Sequence, residues 1–186
     1  AVQTSADVQP MQTHYAFTCG DVDLKVTFTA PLFMEDLKLL SRPVNYLTYS
    51  VAARDGREHE VEVYFEASPR WALDQPYQQS ASKGYEADGL LYLKSGSKEQ
   101  NILAKQGDDL RIAWGYFYMV AGKENTAYSV GNSTELRKNF VNGTLNSASL
   151  EGEDSNGNMA LVRSHGKVKN VTDKIMLGYD DIYSIQ

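Results

Sequence analysis

Hydrophobic and polar residues alternate one by one along much of this chain. Leu24, Val26 and Phe28 interleave with Lys25, Thr27 and Thr29. Leu47, Tyr49, Val51 and Ala53 interleave with Thr48, Ser50 and Ala52, and Val61, Val63, Phe65 and Ala67 with Glu60, Glu62, Tyr64 and Glu66. Successive side chains on a strand point to opposite faces, so this pattern predicts strands with one buried and one wet face. The Glu-rich side of the third run reads as a solvated sheet surface rather than a carboxylate site. Arg54-Asp55-Gly56-Arg57 separates the second and third runs. Asp-Gly favours the type I′ turn, so residues 44–67 are expected to form one antiparallel hairpin.

Shorter strands are expected at residues 89–94, 102–105, 127–130, 159–162, 168–171 and 175–179. Residues 110–120 are the most apolar stretch. Leu110, Ile112, Trp114, Tyr116, Tyr118 and Val120 share one face, and Ala113, Gly115, Phe117 and Met119 the other. Such a strand is expected to be central and buried on both sides, with Gly115 marking a bulge or a close crossing. One helix is predicted from a cap at Asn132 or Ser133, with Glu135 in its first turn, to about Val141, stopping at Asn142-Gly143. A second helical turn is expected over residues 34–40, before Pro43. About ten short strands that do not alternate with helices predict an all-β fold, an antiparallel β-sandwich of supersandwich or jelly-roll type with one or two short helices.

Composition sharpens this picture at three points. The chain has 186 residues, of which 42% are hydrophobic and 23% charged, values of a globular domain with a substantial core. Its 12 Tyr, against 6 Phe and 2 Trp, favour half-buried pleated surfaces. The net charge of -6 and the absence of any Lys/Arg cluster argue against nucleic acid and against an acidic membrane surface as partners. No apolar run approaches the ~20 residues that a membrane-spanning helix needs. The chain opens on a polar segment, residues 1–12, with no signal peptide. It closes on Ile185-Gln186 straight after a strand-like run, so it is read as cut from a longer polypeptide.

Candidate chemistry is sparse. Cys19 is the single cysteine and lies in the apolar stretch Tyr15-Ala16-Phe17-Thr18-Cys19, as a buried structural thiol does. His14, His59 and His165 lack the paired spacing of a zinc site, so no metal or other cofactor is expected. The acidic segment 151–158 has oxygen ligands but not the ordered spacing of a calcium loop, and reads as a polar hairpin loop. Ser95, in Lys94-Ser95-Gly96-Ser97-Lys98, is expected in a turn. No nucleophile elbow, phosphate-cradling loop or dinucleotide fingerprint is present. Asn132, Asn142 and Asn170 head glycosylation sequons, a pattern that is common by chance. Trp71, after a strand in Ser68-Pro69-Arg70-Trp71-Ala72, is the one ligand-stacking candidate; folding over the sandwich edge is its ordinary alternative. Adjacent Asp180 and Asp181 would face opposite ways in an extended chain and do not by themselves make a carboxylate pair.

Several segments taken together carry a family resemblance. They are residues 23–31 (Asp-Leu-Lys-Val-Thr-Phe-Thr-Ala-Pro), residues 36–44 with Leu40-Ser41-Arg42-Pro43-Val44, the Asp55-Gly56 turn, residues 107–116, and residues 179–186 (Tyr-Asp-Asp-Ile-Tyr-Ser-Ile-Gln). In this order they resemble the N-terminal β-sandwich domain of glutaminase A-type proteins. The resemblance implies a secreted or periplasmic parent that hydrolyses glutamine to glutamate and ammonia. In that family a six-hairpin helical domain follows the sandwich and would be the partner of this chain. Residues 13–179 would then be the sandwich domain and 180–186 the start of the junction, with Tyr179, Asp180, Asp181 and Tyr183 as junction residues. No catalytic residue carries over onto these positions.

The sequence therefore favours a non-catalytic accessory or scaffold domain. A carbohydrate-binding module is the alternative, and it requires at least two coplanar aromatic rings on one accessible face. A free-standing hydrolase would require convergent polar groups of perturbed pKa, which the sequence does not offer.

Overall fold

The computed structural model describes residues 1–104, 106–108, 112–145 and 157–182, and the fold is all-β and antiparallel. Eleven strands run in chain order: β1 (Val2–Val8), β2 (Gln12–Cys19), β3 (Val22–Thr29), β4 (Val44–Ala53), β5 (His59–Ala67), β6 (Ser80–Ala87), β7 (Leu90–Ser97), β8 (Tyr116–Gly122), β9 (Thr126–Gly131), β10 (Asn158–Val168) and β11 (Asn170–Asp180). Helix α1 spans Leu37–Leu40 and α2 Ser133–Val141, and a 3₁₀ turn covers Pro69–Ala72. The chain divides into two compact units, Ala1–Glu62 with Ser164–Gly178, and Val63–Arg163 with Tyr179–Gln186.

The first unit is built on an antiparallel sheet in the order β1-β2-β3-β4-β11. Its register puts Phe28, Leu47 and Ile175 in one row, Val26 and Tyr49 with Asp173 in the next, and Leu24, Val51 and Val171 in a third. The rows between them hold Thr27, Thr48 and Lys174, then Lys25, Ser50 and Thr172. The alternation read from the sequence thus becomes an apolar face and a polar face, because a period of two cannot place both sets on one side. Leu47, Tyr49, Val51 and Ile175 are buried, and each such side chain contributes roughly 1.5–3 kcal/mol. β1, which the sequence presented only as a polar segment, pairs with β2 across a bulge between Gln3 and Ser5.

The second unit is a two-layer sandwich with a helix added. One sheet runs β8-β7-β6, the other β5-β10-β9. Gly84 on β6 lies so close to the Tyr128 ring on β9 that a Cβ there would sit 2.3 Å from it. Leu91, Leu93, Met119, Val130, Met159 and Leu161 are all fully buried. Helix α2 covers the other side of the second sheet: Phe140 stacks on Tyr64 with ring centroids 4.9 Å apart, and Leu136 is buried. Glu66 on β5 ties the helix down, accepting from Arg137 at 2.7 Å and from Asn158 at 2.6 Å. Asn132 caps α2 by accepting the Thr134 N–H at 2.9 Å, at the place the sequence indicates.

Several expectations are corrected. β4 and β5 are not a hairpin: β4 is flanked by β3 and β11, and β5 pairs with β10. A type I′ turn needs positive φ at both central residues, and here Gly56 has it but Asp55 does not. The working Asp-Gly turn is Asp88-Gly89, with φ 50° and 75°, and it joins β6 to β7. Ser95 is in β7, not in a turn. Its hydroxyl is buried 2.7 Å from that of Ser82, which donates to the Gly157 carbonyl at 3.1 Å, so small paired hydroxyls sit where the sheets close together. Residues 102–103 form a turn and Ala104 is not in a strand, while Lys105 lies outside the described residues. The apolar stretch 110–120 enters its strand only at Tyr116, because Gly115 takes a φ of 96°, outside the strand region. The strands expected at 159–162, 168–171 and 175–179 are two long ones, β10 and β11. Helix α1 is shorter than expected, starting at Leu37 behind the Asp36 cap. The acidic segment 151–158 lies outside the described residues up to Asn156.

Candidate functional site: the Gly115 crossing and the tyrosine face

Three segments of the second unit converge at Gly115. A Cβ on Gly115 would lie 2.5 Å from the Asp180 carbonyl oxygen, 3.0 Å from the Tyr179 ring and 3.1 Å from the Asp181 Cα. The sequence marked Gly115 as a bulge or a close crossing, and it is a crossing. From one side the Gln100 side chain brackets the same residue. Its Oε1 accepts the Gly115 N–H at 2.6 Å, and its Nε2 donates to the Gly115 carbonyl at 3.1 Å and the Ser97 carbonyl at 2.6 Å. From the other side the Tyr179 hydroxyl donates to the Trp114 carbonyl at 2.6 Å. Burial, and then the Asp181 charge, raise the Tyr179 pKa, so this hydroxyl stays a donor at neutral pH.

The backbone around the crossing is strained. Gln100, Leu103 and Ile182 have φ of 44°, 52° and 60°. A β-branched residue in that region is a genuine outlier, costing about 1–3 kcal/mol, and such residues gather at functional sites. The Asp180 carboxylate accepts the Ile182 N–H at 3.0 Å and so helps to hold the turn.

Outward from the crossing, the exposed face of β6-β7-β8 carries Tyr85, Tyr92, Tyr116 and Tyr118 with Lys83 and Lys94. Lys83 and Lys94 are directly opposite each other in the β6–β7 register. The Lys94 ammonium stands 4.0 Å over the Tyr116 ring, a cation–π contact. Burial first, then the Lys83 charge, lower the Lys94 pKa, and the Asp180 charge opposes them. Burial, then Tyr85 and Asp180, push Tyr118 up to about 12. Tyr118 therefore holds its proton far above neutrality, which suits hydrogen bonding and not general acid–base work.

The aromatic rings do not form a common plane. Tyr85 and Tyr92 are parallel within 5° but only 5.0 Å apart, so they overlap instead of lying side by side. Tyr116 and Tyr118 meet at 72°. Trp71, the stacking candidate, is 66% exposed and leans at 49° on Phe117, 5.3 Å away. It sits on the 3₁₀ turn that Ser68 caps. These pairs do not supply the platform a carbohydrate module requires.

Of the expected junction residues, Tyr179, Asp180 and Asp181 come together at Gly115, and Tyr183 lies outside the described residues. The three histidines stay apart. His14 Nδ1 is 3.0 Å from Thr27 Oγ1, His59 pairs with Asp55 at 2.9 Å, and His165 Nε2 is 2.7 Å from the Tyr49 hydroxyl. Among the described residues no three His, Cys, Asp or Glu side chains group as a metal site. Cys19 is half-buried at the end of β2. Sequence reasoning missed the Gln100 bracket and the Lys94–Tyr118–Asp180 grouping. Gln100 gives no local signal, and the tyrosines showed only as a high count.

Residues 11–186 match the family described as Domain of unknown function (DUF5127). Glutaminase A of Aspergillus oryzae (strain ATCC 42149 / RIB 40) is 28% identical over 147 residues, covering 77% of this chain and 21% of that protein. The chain thus spans about a fifth of the length of that curated relative. Crystal structures of heparan sulfate lyase HepC from Pedobacter heparinus, one of a mutant, align with 95% of this chain and 21% of theirs. Their TM-scores are 0.45 for the mutant and 0.43, at 4% sequence identity.

Proposed function

We propose that this chain, which belongs to the DUF5127 family, is the non-catalytic accessory domain of a secreted glutaminase A-like hydrolase. The observation that carries this reading is its match to one fifth of glutaminase A, the share of an accessory domain rather than of the whole protein. In this role the sandwich supports a following helical domain, and the Tyr179–Asp181 segment is the junction. The geometry at Gly115 favours that assignment. A segment pinned by a hydroxyl, an amide bracket and a closely crossing backbone leaves the domain in a fixed direction, which suits a rigid scaffold better than a flexible tether.

The test separates support from chemistry. The longer natural polypeptide is prepared with this domain, without it, and without it but with this chain added back as a separate molecule. An accessory domain predicts that removal lowers the thermal stability of the remainder and that addition restores it, while the glutamine turnover of each folded molecule is unchanged. A remainder that is folded, equally stable and inactive until the domain returns would sink the reading, since the domain would then supply chemistry.

A further inference from the structure

The first unit carries an apolar surface that its own sheet leaves uncovered. Between β3 and α1 the chain reads Pro31-Leu32-Phe33-Met34-Glu35-Asp36-Leu37. Met34 is 85% exposed, Leu37 73%, Leu32 55% and Phe33 49%. Single exposed apolar residues need no explanation, but four large ones within six positions are a local concentration that does. Phe33 also lines a depression of about 200 Å³ with Met11, Gln12, Thr29 and Pro31.

The segment is held in a defined shape. The Ala30 N–H donates to the Met11 carbonyl at 2.9 Å and the Asp36 N–H to the Phe33 carbonyl at 3.1 Å. The Asp36 carboxylate accepts the Leu39 N–H at 2.9 Å, and the Leu40 N–H donates to the Asp36 carbonyl at 2.9 Å. The hydrogen bonds on both sides of the loop therefore fix how the four apolar side chains are presented.

We infer that the 31–37 loop is a docking surface for an apolar face of the remaining part of a longer, glutaminase A-like polypeptide. This rests on the accessory reading and deepens it by naming a second contact, separate from the Tyr179–Asp181 junction. Two observations select this occupant. Most of the apolar area lies on Met34, Leu37 and Leu32, outside the depression, so a small ligand seated there would leave it wet. Four side chains are also far fewer than the ~20–30 residues a side that a stable complex of separate molecules engages. A covalently linked partner needs less, because linkage supplies an effective concentration in the millimolar range. The chain accounts for about a fifth of the relative it matches, and the other four-fifths are the natural source of such a linked partner.

Met34 is a built-in reporter. Hydroxyl-radical footprinting compares its oxidation in the 186-residue chain with that in the longer natural polypeptide. Docking predicts at least fivefold slower Met34 oxidation in the longer protein. Equal rates would overturn the inference. Protection that instead grows with concentration of the 186-residue chain, with nothing added in the longer protein, would overturn the occupant in favour of a second copy. A paired Met34→Gln, Leu37→Gln variant should melt like wild type in the 186-residue chain and several degrees lower in the longer protein. No difference in the longer protein counts against docking. The two failures are distinguishable: an unprotected Met34 in a protein that passes the domain-removal test ends this inference alone. A protected Met34 in a protein that fails that test ends the accessory reading and leaves the surface.

Discussion

Replacing Gly115 by alanine is the most searching perturbation of the crossing. Two costs add. The φ of 96° is a conformation L residues rarely adopt, which costs about 1–3 kcal/mol. The new Cβ would meet the Asp180 carbonyl at 2.5 Å and the Asp181 Cα at 3.1 Å, and both are backbone atoms that cannot swing aside. Forcing atoms into a well-packed site costs a further ~1–3 kcal/mol. The sum, roughly 2–6 kcal/mol, is a large part of the ~5–15 kcal/mol that a domain has. Gly143→Ala is the control. Its φ is also positive, at 66°, but nothing lies within 4 Å of its Cβ, so it should pay only the backbone term, about 1–2 kcal/mol. Urea unfolding of wild type and both variants reads the difference directly. The reasoning is refuted if Gly115→Ala costs no more than Gly143→Ala.

Other expectations concern the second unit. Burial pushes the Glu66 pKa up, but hydrogen bonds from Ser133, Arg137, Asn158 and Tyr64 outweigh it and hold the carboxyl below its usual range. A depressed folded pKa gives stability that is present above the unfolded value and lost as pH falls through the folded one. Wild type should therefore lose melting temperature below about pH 4, and Glu66→Gln, less stable at pH 7 because its amide cannot pair with the Arg137 charge, should lose less. Tyr118, pushed up to about 12, has the opposite sign: its contribution is full below about pH 10 and is lost as pH climbs towards 12. Ultraviolet titration of wild type against Tyr118→Phe should show one late-ionising phenol missing. Trp71→Ala should cost about 1 kcal/mol or less by denaturant unfolding, and Trp114→Ala about 3–5 kcal/mol, because Trp71 is mostly exposed and Trp114 is buried.

What the sequence made legible follows from the range of the interactions involved. The alternation in β3, β4 and β5 and the cap of α2 are local, and they appear where the residues indicate. Which strands pair is not local. Asp55-Gly56 and Asp88-Gly89 are the same dipeptide, yet only the second adopts the paired positive φ of a hairpin turn, because the edges of β4 are already filled by β3 and β11. β6 was missed because Ser80, Ser82 and Gly84 look like a loop. They are small because the facing layer comes close, as the Tyr128 ring does at Gly84. At the candidate site, Gly115 was visible as a glycine inside an apolar run. Its bracket was not, since it joins Gln100 to a residue fifteen positions away through a side-chain amide. The resemblance to glutaminase A-type proteins was legible from ordered short segments, and the family and relative matches agree with it.

The proposed non-catalytic role is tested most directly by ammonia release from glutamine, measured at high protein concentration for the 186-residue chain alone and for the longer polypeptide that the proposal requires. The predicted result is turnover by the longer protein and none above the buffer rate by the chain. Turnover by the chain alone would contradict that role, and would place the catalytic groups within these residues.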